Sequence, residues 1–145
     1  MQIHRATLDD LTPISRLFDL YRIFYGQKSD LAVAESFIHE RLSLNESVIF
    51  VMKIDDQYAG FTQLYPSFTS VGMQRIWVLN DLYVHQYFRK KGVGEALIRH
   101  TFDYARKTGR AKVILETGSD NLHAQALYEK IGFERSGSFI YECLV

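Results

Sequence analysis

The chain has 145 residues, 47% of them apolar and 23% charged, an ordinary composition for one globular domain built around a single core. Lys and Arg number 17 and so do Asp and Glu, so the net charge is zero. That balance excludes the cation excess through which nucleic-acid binders neutralise phosphate, and no apolar run approaches the roughly 18 residues of a membrane span.

The opening "MQIHRATLDD" holds no apolar signal-peptide core, so a reducing cytoplasmic compartment is expected. "QIHRAT" (2–7) alternates and predicts a short strand. Leu8, Leu11, Ile14, Leu17, Tyr21 and Phe24 then recur at three and four, the stripe of a helix closed by Gly26. Thr7 with Asp10 predicts a capping box, and Thr12 before Pro13 is a rival start. Residues 30–44 predict a second helix, with Phe37, Ile38, Leu42 and Leu44 as its apolar side. "SVIFVMKI" and "QYAGFTQLYP" flank Asp55-Asp56 as a hairpin would, and a polar loop is expected over 67–73. "QRIWVLNDLYV" is almost continuously apolar and predicts a central strand covered on both faces.

A glycine turn and a helix over 95–108 follow, stopped by Gly109. "AKVILET" reads as another buried strand, "NLHAQALYEKIG" as a helix capped by Asn121 and closed by Gly132, and "SFIYECLV" as a last strand. Cys143, the only cysteine, excludes an intrachain disulfide and a thiolate zinc site; with no basic neighbour to activate it, it is expected to be buried and inert. The order β-α-α-β-β-β-α-β-α-β predicts one α/β domain over 1–145, a mixed and mostly antiparallel sheet with one strand–helix–strand crossover.

One stretch breaks an electrostatic rule. In "RKKGVGEALI" three cations, Arg89, Lys90 and Lys91, precede a helix start, where cations cost roughly 0.3–1 kcal/mol each. A strand, a glycine turn and a helix start form an anion-binding device, because the first amides of a helix lack internal acceptors. A diphosphate placed there would make partners of the cations; the alternative is a glycine-relieved loop whose basic side chains are simply solvated. The pattern GxxxxGK(S/T) is absent, and "GVGEAL" has Leu97 where a dinucleotide fold needs Gly or Ala.

Arg89-x-x-Gly92-x-Gly94 resembles the Q/R-x-x-G-x-G/A signature of the GNAT N-acetyltransferase superfamily. "LNDLYV" precedes it as that family's central strand does, and "NLHAQALYEKIGF" (121–133) resembles its other motif through Asn121, Ala124, Leu127, Tyr128, Lys130, Gly132 and Phe133. The order of elements fits from residue 2 to 145, and "NDLYV" with "FDLYRIFYG" looks nearest to the diamine and polyamine acetyltransferase branch.

The resemblance implies a splayed pair of strands with helices on both faces of the sheet, acetyl-CoA as donor, no metal, and direct acetyl transfer to a primary amine. By position, Leu82, Tyr83 and Val84 would offer backbone groups to pantetheine, and the N–H of Leu82 would polarise the thioester carbonyl. The pyrophosphate would lie on Arg89, Lys90, Lys91, Gly92, Val93, Gly94 and Glu95, with Asn121 and Lys130 as further donor contacts. Tyr128 would protonate the departing thiolate; otherwise it is an aromatic of an amphipathic helix.

The branch carries an acidic pair where this chain has Asn80-Asp81, so only Asp81 is left to hold a cationic acceptor or relay its proton. A structural carboxylate is its other reading. Strict alternation puts Leu79, Asp81 and Tyr83 on one face and Asn80, Leu82 and Val84 on the other. Glu116 is a second candidate base, and His85 is expected to be a loop-end hydrogen bonder. Tyr21, Phe24, Tyr25 and Phe68 are candidates for an acceptor pocket or simply for the core. Three readings follow: a small-molecule amine acetyltransferase, a protein lysine or N-terminal acetyltransferase, or a non-catalytic acyl-CoA-binding module. The leaving-group acid speaks against the last, and the neutral charge leans towards a small acceptor. "SFIYECLV" suits either an internal strand or pairing in a homodimer.

Overall fold

Asp55 (φ 49°) and Asp56 (φ 62°) are both left-handed and make the turn expected between two strands. Two successive positive-φ residues give the twist a two-residue hairpin needs, and the short polar Asp side chain tolerates that conformation. The computed structural model describes residues 1–145, which form two compact units, Met1–Leu115 and Glu116–Val145. No helix is long and apolar enough to cross a membrane.

The first unit contains β1 (Gln2–Arg5), α1 (Leu11–Phe24), α2 (Leu31–Ser43), β2 (Val48–Ile54), β3 (Gln57–Thr69), β4 (Gln74–Val84), α3 (Val93–Lys107) and β5 (Val113–Ile114). The sheet runs β1-β2-β3-β4-β5, antiparallel throughout except for the parallel pair β4–β5 across α3. The capping box forms at Thr7: its hydroxyl accepts the Asp9 N–H while the Asp10 carboxylate accepts the Thr7 N–H at 2.9 Å, on a short 3-10 turn leading into α1. Pro13 falls in the first turn of α1, where a missing N–H costs nothing. Asp30 caps α2 by accepting the Val33 N–H at 3.2 Å.

Register decides which side chains meet which helices. Ile49, Val51, Phe61 and Tyr83 share one face and pack with Ile14, Leu17 and Phe18 of α1 and Ala34 and Ile38 of α2. On the other face Phe50 meets His100 and Tyr104 of α3 at ring distances of 4.5 and 5.1 Å, and Trp77 meets Tyr104 at 5.5 Å. The continuous apolar run of β4 is thus explained by cover on both sides. At Gly60 a Cβ would lie 2.7 Å from the Tyr83 carbonyl and 3.2 Å from Val93 Cγ1, so only glycine lets the start of α3 sit against β3 and β4.

Four expectations change. The loop placed at 67–73 is mostly strand: Ser67, Phe68 and Thr69 pair with Ile76, Arg75 and Gln74, and the turn shrinks to 70–73. The hairpin end faces water, with even Phe68, Val71 and Met73 exposed, so its residue types carry no sign of the pairing. The α3 helix starts at Val93 instead of 95, because left-handed Gly92 (φ 79°) serves as its N-cap. The "AKVILET" strand reduces to Val113–Ile114, the only residues that find ladder partners on β4. Alternation along β4 also fails at Asn80. Gln63 pairs with Asp81 and Leu64 with Leu79, so Asn80 is the extra residue of a β-bulge. Leu79 therefore shares the face of Leu64, while Asp81 and Tyr83 share the face of Gln63 and Phe61.

In the second unit, α4 (Leu122–Ile131) starts at Asn121, whose Oδ1 accepts the Ala124 N–H at 3.3 Å, and ends at Gly132 (φ 123°). The last predicted strand does not form: 134–145 contain no ladder, and a β-strand exists only by pairing. Cys143 on that segment is exposed, not buried.

Candidate active site

Beyond Val84 the chain makes a 3-10 turn (Gln86–Phe88) capped by His85, whose Nδ1 accepts the Tyr87 N–H at 3.2 Å, the loop-end role expected of it. Left-handed Lys90 (φ 62°) and Gly92 then turn the chain into α3. The first internal bond of α3 runs from the Ala96 N–H to the Gly92 carbonyl at 3.0 Å, and no side chain caps the end. Main-chain donors at the helix start, with the positive end of the dipole behind them, are thus presented outward. A Cβ built on Gly92 meets nothing within 4 Å, so the bend is open. Glu95, the one acid in this turn, is engaged along the helix by Arg99 Nε at 3.0 Å. This combination fits a diphosphate.

The three cations are not equivalent. Lys90 and Lys91 are exposed, and Lys91 Nζ lies 5.7 Å from the Phe88 ring. Arg89 turns back: its Nε donates to the Val84 carbonyl at 3.1 Å, and its guanidinium lies 5.8 and 5.7 Å from the Phe24 and Tyr83 rings.

The outer edge of β4 is the second element of the site. Pairing with β5 stops at Val78, so on the side away from β3 no strand of this unit lies beside Leu79–Val84. The His85 N–H bonds the Ala59 carbonyl at 2.8 Å, and the Tyr83 carbonyl is directed at Gly60. Because successive peptide groups alternate sides along a strand, Leu82 and Val84 aim their backbone groups at the open edge. Tyr83 differs from expectation: its carbonyl is on the β3 side, leaving the edge to Leu82 and to the Val84 N–H, since the Val84 carbonyl accepts from Arg89.

Asp81 lies just inside this edge, 2% exposed. Asn80 Nδ2 donates to its Oδ1 at 2.7 Å, Gln63 Nε2 to its Oδ2 at 2.5 Å, and Thr62 Oγ1 to its main-chain carbonyl at 2.8 Å. Burial pushes the Asp81 carboxyl above the usual carboxylate range, opposed by hydrogen bonds from Asn80, Gln63 and Tyr21. Tyr21 also donates to the Asn80 carbonyl at 3.4 Å and touches Tyr25, Phe61 and Tyr83 edge-on. Burial and the Asp81 charge push neighbouring Tyr65 up to about 12. Tyr21 and Phe24 therefore meet Tyr83, with Tyr25 packed against both of them, whereas Phe68 is 71% exposed on the β3–β4 hairpin and takes no part. Gln63, Tyr65 and Thr62 carry no motif and become visible only through the register of β3 against β4.

The remaining candidates belong to the second unit. Tyr128 and Lys130 lie on α4, and the Tyr128 ring meets Phe133 edge-on at 5.8 Å. Asn121 caps that helix, and Glu116 lies exposed two residues after β5 instead of on a strand.

The acetyltransferase (GNAT) family profile matches residues 14–133, and the chain belongs to that family. It is an acetyltransferase, and the family implies acetyl-CoA as the donor. Over 144 residues it is 44% identical to YhfO, an uncharacterised N-acetyltransferase of Bacillus subtilis (strain 168), covering 99% of this chain and 97% of that one. A probable acetyltransferase of Haemophilus influenzae is 27% identical over 92% of this chain and 90% of its own length. The crystal structure of another probable acetyltransferase superposes with a TM-score of 0.92 at 39% identity, covering 100% of this chain and 97% of the other.

Proposed function

We propose that this enzyme transfers acetyl from acetyl-CoA directly to the primary amine of a small cationic molecule, a polyamine, diamine or amino acid, in the cytoplasm. The observation that carries the reading is the unpaired edge of β4 leading into the uncapped start of α3. An extended, amide-bearing donor ending in a diphosphate matches both in chemistry.

When bound, acetyl-CoA supplies an activated thioester. The amides of Gly92, Val93, Gly94 and Glu95, with Lys90 and Lys91, would hold its diphosphate, and Asn121 and Lys130 would add contacts. The Leu82 N–H faces the open edge, where it would stabilise negative charge on the acyl oxygen, an effect worth on the order of 10²–10³ in rate. Asp81 would hold the acceptor's ammonium or take its proton, with Glu116 as the alternative base. Tyr128 would return a proton to the thiolate. Support for a cationic acceptor comes from Tyr83, which shares the face of Asp81, and from Phe24 against it: their rings already seat one cation, the guanidinium of Arg89.

Thiol release from acetyl-CoA, measured across polyamines, diamines, amino acids and lysine peptides, tests the proposal. Small cationic amines should give the fastest release. Tyr128→Phe should lower kcat about 100-fold while the acetyl-CoA KM stays within about twofold. Turnover confined to peptides would replace the small-acceptor reading with a protein-directed one.

A further inference from the structure

The Asp81 carboxylate has amide partners and no salt-bridge partner, and one of those amides is fixed from behind. Gln63, 0% exposed, gives Nε2 to Asp81, and its Oε1 accepts from Ser47 Oγ at 2.8 Å. Ser47 is 4% exposed and lines a cleft together with Arg5, Thr7, Leu42 and Asn45. Three side chains thus run from the start of β2 across β3 to the bulge on β4.

The chain of bonds has a direction. With the Ser47 proton on Gln63 Oε1, the NH₂ of Gln63 must face Asp81, and an NH₂ offers no lone pair to a protonated acid. In this state Oδ2 can only accept. For Asp81 to carry a proton towards Gln63, the amide must turn over, placing Oε1 against Asp81 and Nε2 against Ser47. The Ser47 hydroxyl then accepts instead of donating. Only the first state gives every one of these buried groups a partner, because after the turn the Ser47 proton has lost its acceptor. A half-turned state sets donor against donor or acceptor against acceptor, at a cost of about 1–3 kcal/mol per unsatisfied group. Ser47 therefore holds the Gln63 NH₂ against Asp81, where it favours the charged carboxylate.

We propose that Gln63, anchored by Ser47, is a positioning residue for acetyl transfer: it holds its NH₂ against Asp81 and so presents Asp81 to the acceptor amine as an acceptor-only carboxylate. The inference rests on Asp81 serving the acceptor side, as proposed above. The titratable groups around Asp81 are Tyr21 of α1 with Tyr25 beside it, Tyr65 of β3 and Tyr83 of β4, while Arg41 of α2 acts on Tyr65. No cation forms an ion pair with the acid; its direct partners are the amides of Asn80 and Gln63 and the Tyr21 hydroxyl.

The test combines a pH titration of the Asp81 side-chain carboxyl by ¹³C NMR on the full chain with the acidic limb of kcat/KM for the best amine of the panel. Gln63→Leu should raise the NMR midpoint by about one pH unit, the size expected for a lost hydrogen bond to a charge. Ser47→Ala should raise it less, and Ser47→Thr, which keeps the hydroxyl, should restore it. The limb should move with the midpoint. Midpoints unmoved in both Ser47→Ala and Gln63→Leu overturn the proposal; should Gln63→Leu not fold, Ser47→Ala decides alone. A midpoint that moves while the limb stays fixed shows that the network controls Asp81 but that Asp81 has no part in the reaction, which removes the positioning role through failure of the underlying reading.

Discussion

The stretch that runs from the bulge of β4 to the start of α3 handles charge in opposite ways at its two ends. At 89–95 the lysines are exposed and the binding groups are main-chain amides, opened outward by left-handed Lys90 and Gly92. At the bulge the carboxylate of Asp81 is buried beneath neutral amide donors and tyrosines. The first arrangement suits a highly charged ligand that brings its own hydration shell and needs a dipole and many donors. The second suits a single proton or ammonium, for which a low-dielectric surrounding makes one charge count for more.

The contrast predicts separable losses. The largest belongs to the turn. Gly92→Val forces a β-branched residue into the left-handed region, at a cost of about 1–3 kcal/mol, while its Cβ meets no neighbouring atom. The melting temperature should fall by only a few degrees, and the acetyl-CoA Kd, measured by calorimetry, should rise by about a hundredfold or more. Retained affinity would mean that the bend is not the diphosphate site.

A smaller and complementary loss belongs to the bulge. Asp81→Asn should raise the KM of a cationic amine about tenfold and leave the acetyl-CoA Kd within about twofold. It should also alter stability against pH. Because burial raises the Asp81 pKa, its contribution is full below the ordinary carboxylate range and is lost as pH rises through the raised value. The melting temperature of Asp81→Asn should therefore gain on that of the parent across that window. Parallel melting curves would place Asp81 outside the buried network.

The same contrast separates what is legible in the sequence from what is not. The turn is contiguous, and its parts are backbone features that Gly92, Gly94 and the cations before them announce in order. The hairpin at Asp55-Asp56, the box at Thr7 and Asp10 and the cap at Asn121 were legible for the same reason, since each is closed within a few residues. The bulge was not. It depends on Leu64 meeting Leu79 while Gln63 meets Asp81, and a single extra residue reverses the face assigned to Leu79. Gln63 lies 18 positions from Asp81 and Ser47 a further 16 from Gln63, so no local pattern joins them. "SFIYECLV" misled in the other direction: its apolar alternation suits a strand, yet strand formation depends on a pairing edge that alternation cannot supply.

The central claim is that amides at the start of α3 grip a diphosphate. An amide ¹H–¹⁵N titration of the full chain with coenzyme A addresses it most directly. The account predicts that the largest shifts fall on Gly92, Val93 and Gly94, followed by Leu82 on the open edge of β4, and that Lys53 and the β1–β2 pair stay still. Saturating binding that leaves the amides of 92–94 unmoved would contradict it.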